Sequence, residues 1–162
     1  MRHKLLARLL ISVVDHIPYL KSFIYGPVYM EGTWIGYFGG TIPKWSVEHF
    51  EQKLSGIVIR GWTETADGKT YAQWTSKAVS VDGEHGILIY TYEVDVFGVK
   101  NTQQGIEIFR FERSKYWKAP MQISEYSADL IDGIRSENRE FKISNELMKV
   151  NSAMAAAHKQ FP

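Results

Sequence analysis

The sequence predicts an all-β fold, a compact eight-stranded antiparallel barrel of lipocalin-like type. Three observations support this prediction. Two long segments rich in Val, Ile, Thr and Tyr, residues 71–81 and 86–96, flank a turn that contains the pair Asp82-Gly83, as in a β-hairpin. Similar segments recur at hairpin-like spacing along the chain. About eight strands is the number at which an up-and-down barrel closes around side chains or one small ligand.

Each strand is bounded by residues typical of turns. The predicted strands are residues 32–38, 45–53, 57–63, 71–81, 86–96, 105–112, 123–129 and 139–143. The predicted turns are residues 39–43, residues 65–69, the hairpin turn 82–86, a loop around Pro120 and a turn at Gly133. Ser55-Gly56 predicts a bulge or bend, after which the chain continues as a strand in a new direction.

The chain divides into an N-terminal segment (1–30), the barrel (31–144) and a C-terminal tail (145–162). Apolar residues at helical spacing predict an amphipathic N-terminal helix: Leu5, Leu6, Leu9, Leu10, Val13, Val14 and Ile17. This helix would pack on the barrel, on a neighbouring subunit or at a membrane surface. A signal peptide is less consistent with the sequence, because Arg8 interrupts the apolar run and Asp15-His16-Ile17-Pro18 stands where a cleavage site would be needed. The tail from Ser144 to His158 predicts a helix capped by Ser144 or Asn145.

Composition excludes several functional classes. The chain has 162 residues, no cysteine and a formal net charge of +1, so disulfides, thiolate chemistry and cysteine zinc sites are excluded. The near-neutral charge argues against binding to long DNA or RNA polymers. The five histidines are scattered without metal-ligand spacing. The sequence contains no Gly-x-Ser-x-Gly elbow, and it has no glycine-rich phosphate loop followed by a helix. We therefore expect no enzymatic activity, no metal site and no cofactor.

The strongest candidate site residues are aromatic and basic side chains interleaved on strands. Arg60 and Arg110 are candidate phosphate ligands, since guanidinium groups grip phosphate in a bidentate manner. Trp74, Tyr90 and Tyr92 are candidate stacking groups. The alternation of side chains along a strand places each of three sets on one face of its own strand. The sets are Val58, Arg60 and Trp62; Ala72, Trp74, Ser76 and Ala78; and Leu88, Tyr90, Tyr92 and Val94. The alternative is that charged residues form ordinary ion pairs on the outer surface: Arg60, Glu93, Asp95, Arg110 and Glu112.

Several short segments resemble one known family. They are residues 31–36 (EGTWIG), 51–61 (EQKLSGIVIRG), 74–79 (WTSKAV), 86–93 (GILIYTYE) and 126–133 (YSADLIDG). Together they resemble the β-strand-rich effector domain found beside bacterial cyclic-nucleotide synthases in CBASS antiphage defence systems, over about residues 31–144. The resemblance implies a barrel that senses a cyclic oligonucleotide made during phage infection. In that family the barrel follows two transmembrane helices, and ligand binding drives assembly that disrupts the inner membrane. Here only one short apolar segment precedes the barrel.

The sequence thus predicts a non-enzymatic, cyclic-oligonucleotide-sensing barrel. We expect it in the cytoplasm, peripheral to or anchored in the inner membrane through residues 1–25, and assembling as a homo-oligomer. The alternative is a lipocalin-like carrier of a small apolar or amphipathic ligand, which the Gly-x-Trp pattern Gly32-Thr33-Trp34 also fits. A carrier needs an open apolar cavity, whereas a sensor can have a filled barrel and bind at its mouth or between subunits. A purely structural interaction module is a third possibility.

Overall fold

The barrel prediction is confirmed. The computed structural model describes residues 11–38, 44–112, 120–129 and 135–162. Eight antiparallel strands form one closed barrel in sequence order, and the eighth strand pairs with the first. The strands are β1 (Gly32–Phe38), β2 (Lys44–Lys53), β3 (Gly56–Thr65), β4 (Thr70–Asp82), β5 (Ile87–Val96), β6 (Gln103–Phe111), β7 (Gln122–Asp129) and β8 (Arg135–Ser144).

Helices lie at both ends of the chain. Residues 11–16 are helical, as the amphipathic pattern predicts for Val13 and Val14, and α1 (Pro18–Tyr25) and the 3₁₀ helix η1 (Gly26–Val28) follow. The other predicted helix positions before residue 11 lie outside the described residues. The tail forms α2 (Val150–Gln160), which packs on the outer face of β1 and β2. The predicted cap was wrong: Lys149 is the N-cap residue, and Ser144 belongs to β8, where its Oγ accepts the Glu146 N–H at 2.9 Å.

Two hairpins differ from the sequence prediction. Ser55-Gly56 is not a bulge in a continuing strand but part of a tight β2–β3 hairpin, in which Lys53 pairs with Gly56. A register shift lies instead in β4, between Ser76 and Ala78. This shift turns Ala78 to the exposed outer face, so its predicted grouping with Trp74 was wrong. The predicted turns at 39–43 and Gly133 lie outside the described residues.

Apolar side chains fill the half of the barrel into which the N-terminal segment leads. We call this half the proximal half and the opposite end, with the turns after β3 and β5, the distal end. Among the described residues, the proximal apolar side chains with 0% exposure are Met30, Trp34, Phe50, Ile59, Leu88, Phe109 and Ile123. Gln52 fixes the entering chain, since its Oε1 accepts the Met30 N–H at 2.8 Å and its Nε2 donates to the Val28 carbonyl at 3.2 Å.

Glycines in the barrel wall make room for two interior aromatic rings. A Cβ on Gly61 would lie 2.0 Å from Cε2 of Trp74, and one on Gly105 would lie 2.2 Å from Cζ of Tyr92. We expect Gly61→Ala to lower the free energy of unfolding by about 1–3 kcal/mol, because an overpacked core must displace the ring. Urea unfolding measures this loss. A Gly61→Ala/Trp74→Leu double variant should lose less than the sum of its two single variants; strictly additive losses would contradict the contact.

Candidate functional site

The structure brings the three predicted stacking residues together inside the barrel. Trp74 and Tyr92 lie with ring centroids 6.4 Å apart, and Tyr90 and Tyr92 lie 5.9 Å apart. All three side chains are buried. Their predicted common faces are therefore interior faces of β4 and β5, and their role in ligand binding stays a prediction.

The two predicted phosphate ligands lie elsewhere, on the outer surface. Arg60 Nη1 pairs with Glu51 at 3.1 Å, and Arg110 is exposed. Arg60 aligns through β4 and β5 with Gln104 of β6, and Arg110 lies six residues further along β6. The two guanidinium groups thus belong to backbone positions about 14 Å apart across the sheet and about 20 Å apart along it. They do not converge on each other or on the interior rings.

The outer surface carries ion pairs of the kind the alternative interpretation predicted. Glu93 pairs with Lys77 at 2.6 Å, and Arg60 pairs with Glu51. Asp95 instead accepts a hydrogen bond from the Thr102 hydroxyl at 2.7 Å. Such exposed pairs stabilise a protein by about 0–1 kcal/mol each, and they account for these residues without a ligand.

A cluster of buried carboxyl groups lies beside the interior rings. Tyr90 Oη donates to Glu48 Oε1 at 2.8 Å and also contacts Glu107 Oε2. Glu48 and Glu140 have 0% exposure and Glu107 has 4%. Burial raises the pKa of Glu48 to about 8, although contacts with Glu140 and the Trp74 indole partly oppose the rise. Glu48 is therefore mainly protonated at neutral pH.

Three interior polar atoms near Glu48 have no hydrogen-bond partner among the described residues. They are Ser46 Oγ, Glu48 Oε2 and Trp74 Nε1. The indole N–H of Trp74 lies close enough to favour the ionised form of Glu48, but it does not meet the geometry of a hydrogen bond. Unpaired polar atoms in a core are costly, so this part of the interior is suited to a polar guest.

A second candidate site is an open groove of about 540 Å³ at the distal end. It lies within the volume range of small-molecule sites. We call it the distal groove; its lining residues are Thr65, Ala66, Asp67, Lys69, Thr70, Tyr71 and Phe97. The Phe97 N–H donates to the Tyr71 carbonyl at 2.9 Å, which places these two aromatic residues side by side. The Phe97 side chain stays 63% exposed.

Two lysines lie at the distal groove, Lys69 in its lining and Lys44 against the ring of Tyr71. Lys44 Nζ lies 3.7 Å from the centroid of the Tyr71 ring, and no carboxylate in the described part of the chain pairs with it. Lys69 Nζ is held by Asp67 at 2.6 Å. The ion pair with Lys69, together with a hydrogen bond from Thr65, lowers the pKa of Asp67 to about 2, so this carboxylate offsets the charge of Lys69. Lys44 is therefore the better placed cation for a phosphate.

A buried lysine lies at the proximal end. Lys142 Nζ has no hydrogen-bond partner among the described residues and lies 4.7 Å from the Tyr29 ring centroid. Burial lowers its pKa to about 8, an effect partly opposed by Glu31. Its contact with the Tyr29 ring is a cation–π interaction, and this contact accounts for its position.

Sequence reasoning missed both the distal groove and the carboxyl cluster. Glu48 lies two residues before Phe50 on β2, and Glu107 lies two residues before Phe109 on β6, so each carboxyl shares a strand face with a buried apolar residue. This spacing was the sequence signal that could have indicated inward-facing carboxyls. Lys44, Tyr71 and Phe97 lie at the ends of three different strands, and the pairing of β2 to β5 in the sheet brings them together. Nothing in their spacing along the chain indicates a site.

The structure is thus a closed antiparallel barrel with a cluster of carboxyl groups in its interior and an aromatic, basic groove at its distal end. Neither a family model, nor a curated protein, nor a solved structure matches the chain. Over the described ranges, no set of three or more His, Asp or Glu side chains is arranged to hold a metal ion. Within those ranges, every helix is too short or too polar to cross a bilayer.

Proposed function

We propose that this protein is a non-enzymatic sensor of a cyclic oligonucleotide that binds in the distal groove. The observation that carries the proposal is the contact of Lys44, which forms no ion pair within the described residues, with the ring of Tyr71, whose backbone neighbour in the groove is Phe97. Aromatic faces stack on bases of any sequence, and a lysine binds phosphate as a point charge. The resemblance of residues 31–144 to the CBASS effector barrels supports the same ligand class.

The barrel interior is a poorer place for a phosphate. Among the described residues, the carboxyl groups near the rings are those of Glu48, Glu107 and Glu140, and a buried anion beside them would be strongly disfavoured. The proximal half is filled by large apolar side chains, which leaves little support for the carrier of an apolar ligand. Binding at the distal end fits a sensor whose proximal half is filled.

The N-terminal segment supports action at the inner membrane through ligand-driven assembly. Seven apolar residues of the helical stretch are exposed: Ile11, Val13, Ile17, Tyr19, Leu20, Phe23 and Ile24. Exposed apolar residues on a short helical segment suit a membrane surface or a neighbouring subunit. The segment contacts the barrel through Asp15, whose Oδ1 accepts the Leu54 N–H at 2.8 Å, and through the ion pair of Lys21 with Glu31.

A thermal-shift screen tests the ligand class. Cyclic di- and trinucleotides are compared with linear dinucleotides and a fatty acid, at pH 7 and fixed ionic strength. A ligand at 100 times its dissociation constant stabilises the fold by about 2.7 kcal/mol, which gives a measurable shift. We expect a selective shift with at least one cyclic oligonucleotide. A shift with the fatty acid alone would instead support the carrier.

We expect Phe97→Ala to weaken binding of the selected nucleotide by about 5- to 150-fold, because base stacking on an aromatic ring contributes about 1–3 kcal/mol. Lys44→Ala should weaken binding and flatten its dependence on salt. Titration calorimetry measures both effects. The matched controls are Phe23→Ala and Lys77→Ala, which remove an exposed ring and an exposed lysine away from the groove. Loss of affinity in Arg60→Ala or Arg110→Ala, with Phe97→Ala unaffected, would place the site on the outer wall instead.

A further inference from the structure

The carboxyl cluster inside the barrel must hold at least one acidic proton. Tyr90 Oη contacts oxygens of both Glu48 and Glu107, yet a hydroxyl group carries a single proton. One of the two contacts therefore uses a proton from a carboxylic acid. Glu48 also contacts Glu140, and two carboxyl groups attract each other only when one of them is protonated. Among the described residues, the side chains that act on the pKa of Glu48 are Glu140 and Trp74. Neither of them is a cation that would stabilise a Glu48 carboxylate.

Unpaired polar atoms and aromatic rings also surround Glu48. Ser46 Oγ and Glu48 Oε2 are fully buried acceptors without a partner among the described residues, and the Trp74 N–H is a donor in the same state. The rings of Trp74, Tyr90 and Tyr92 lie beside one another, and Trp74 and Tyr90 reach Glu48. Small side chains stand on the distal side of Glu48, where Ser46, Thr63 and Ala72 are register neighbours on three adjacent strands.

We propose that this interior region is a binding site for a small primary amine, taken up as its ammonium ion from the distal end. The ammonium group has three N–H donors, for which Glu48 Oε2 and Ser46 Oγ are open acceptors. Trp74, Tyr90 and Tyr92 supply neighbouring aromatic side chains, the residue type that lines the cages that bind organic ammonium ions. When Glu48 loses its proton to accommodate the cation, its carboxylate also becomes a better acceptor for the Trp74 N–H. Binding of each ammonium ion thus releases one proton to solvent.

This site is independent of the nucleotide in the distal groove. Among the described residues, the titratable groups that face it are Glu48 from β2, Tyr90 and Tyr92 from β5, Glu107 from β6 and Glu140 from β8. Alkylammonium ions, like the lysine side chain, stay protonated to about pH 10. Affinity for the amine should therefore rise with pH up to about pH 8, by about tenfold per pH unit where one proton is exchanged.

Titration calorimetry with 2-phenylethylamine tests the proposal, with 2-phenylethanol as the matched uncharged probe. We expect saturable binding of the amine at pH 8, at least tenfold tighter than that of the alcohol. Binding repeated at pH 7, below the pKa of Glu48, in two buffers of different ionisation enthalpy should report release of about one proton. Equal affinity for amine and alcohol, or no proton release, would overturn the proposal.

Variants locate the site. Glu48→Gln should weaken amine binding at least tenfold and abolish the pH dependence, and Ser46→Ala, a smaller change in the same place, should weaken it several-fold. Glu51→Gln, on the outer face of the same strand, is the control and should bind as the wild type does. Unchanged amine affinity in Ser46→Ala and in Glu48→Gln would overturn the assignment. Phe97→Ala separates the two sites, since it should weaken nucleotide binding and leave amine binding intact.

Discussion

The stability of the wild-type protein is expected to fall as the pH rises from about 4.5 to about 8, and Glu48→Gln is expected to remove most of this fall. In the folded protein Glu48 keeps its proton up to about pH 8, whereas in the unfolded chain it loses the proton near its ordinary value of 4.5. Between these values the folded state binds more protons, so the free energy of unfolding decreases with pH. At about 1.4 kcal/mol per pH unit the total is at most about 5 kcal/mol.

Urea unfolding followed by tryptophan fluorescence, at pH 5, 6, 7 and 8, measures this dependence. His49 contributes in the opposite direction, because burial lowers its pKa and its contribution to stability is lost as the pH falls through the folded value. That contribution is present in both proteins and cancels in the comparison. Glu51→Gln is the control. Lys53 and Arg60 lower the pKa of Glu51, so this variant should keep the wild-type slope above pH 5. The same slope in Glu48→Gln would contradict the buried, protonated state.

Trp34→Ala is expected to lower the free energy of unfolding by about 3–5 kcal/mol, as replacement of a large buried aromatic residue does. The Trp34 side chain has 0% exposure, packs on Phe50 with ring centroids 5.4 Å apart and donates from Nε1 to the Met30 carbonyl at 2.9 Å. The substitution therefore creates a cavity in the filled half of the barrel and leaves the Met30 carbonyl without that donor.

Chemical denaturation of Trp34→Ala beside Phe23→Ala tests this expectation. Phe23 is an aromatic residue whose side chain is 78% exposed, so its loss should change the free energy of unfolding by no more than about 0.5 kcal/mol. A loss below about 1 kcal/mol in Trp34→Ala would mean that the proximal half is not packed as described.

The barrel could be predicted because strand composition and turn residues are local properties. Alternation correctly grouped Leu88, Tyr90, Tyr92 and Val94 on one face, and closure of the barrel made that face interior. The grouping failed at Ala78, because a single residue inserted in β4 reverses the faces beyond it and leaves no mark in composition. The prediction of the helix cap failed because Thr33, from β1, binds the backbone of the tail before the helix. The Thr33 hydroxyl accepts a hydrogen bond from the Met148 N–H and donates one to the Glu146 carbonyl, which holds this part of the tail extended.

The candidate site could be predicted only in part. The three aromatic residues came together because they lie at in-phase positions of adjacent strands. The arginines did not join them, since Arg60 is out of phase with the interior residues of β3, and Arg110 with those of β6. Distances across three strands depend on closure and stagger of the barrel, which periodicity along one strand does not specify. The distal groove likewise depends on how strands β2 to β5 pair with one another.

The most direct test of the account is an NMR titration of isotope-labelled protein with the cyclic oligonucleotide selected by the thermal-shift screen. We expect saturable chemical-shift changes that centre on Lys44, Tyr71 and Phe97, with the amides of residues 65–71 and 97–98 most affected. Changes centred on Arg60 or Arg110, or on the interior rings of Trp74 and Tyr90, would contradict binding in the distal groove. Absence of saturable changes with every cyclic oligonucleotide in the screen would contradict the proposed function itself.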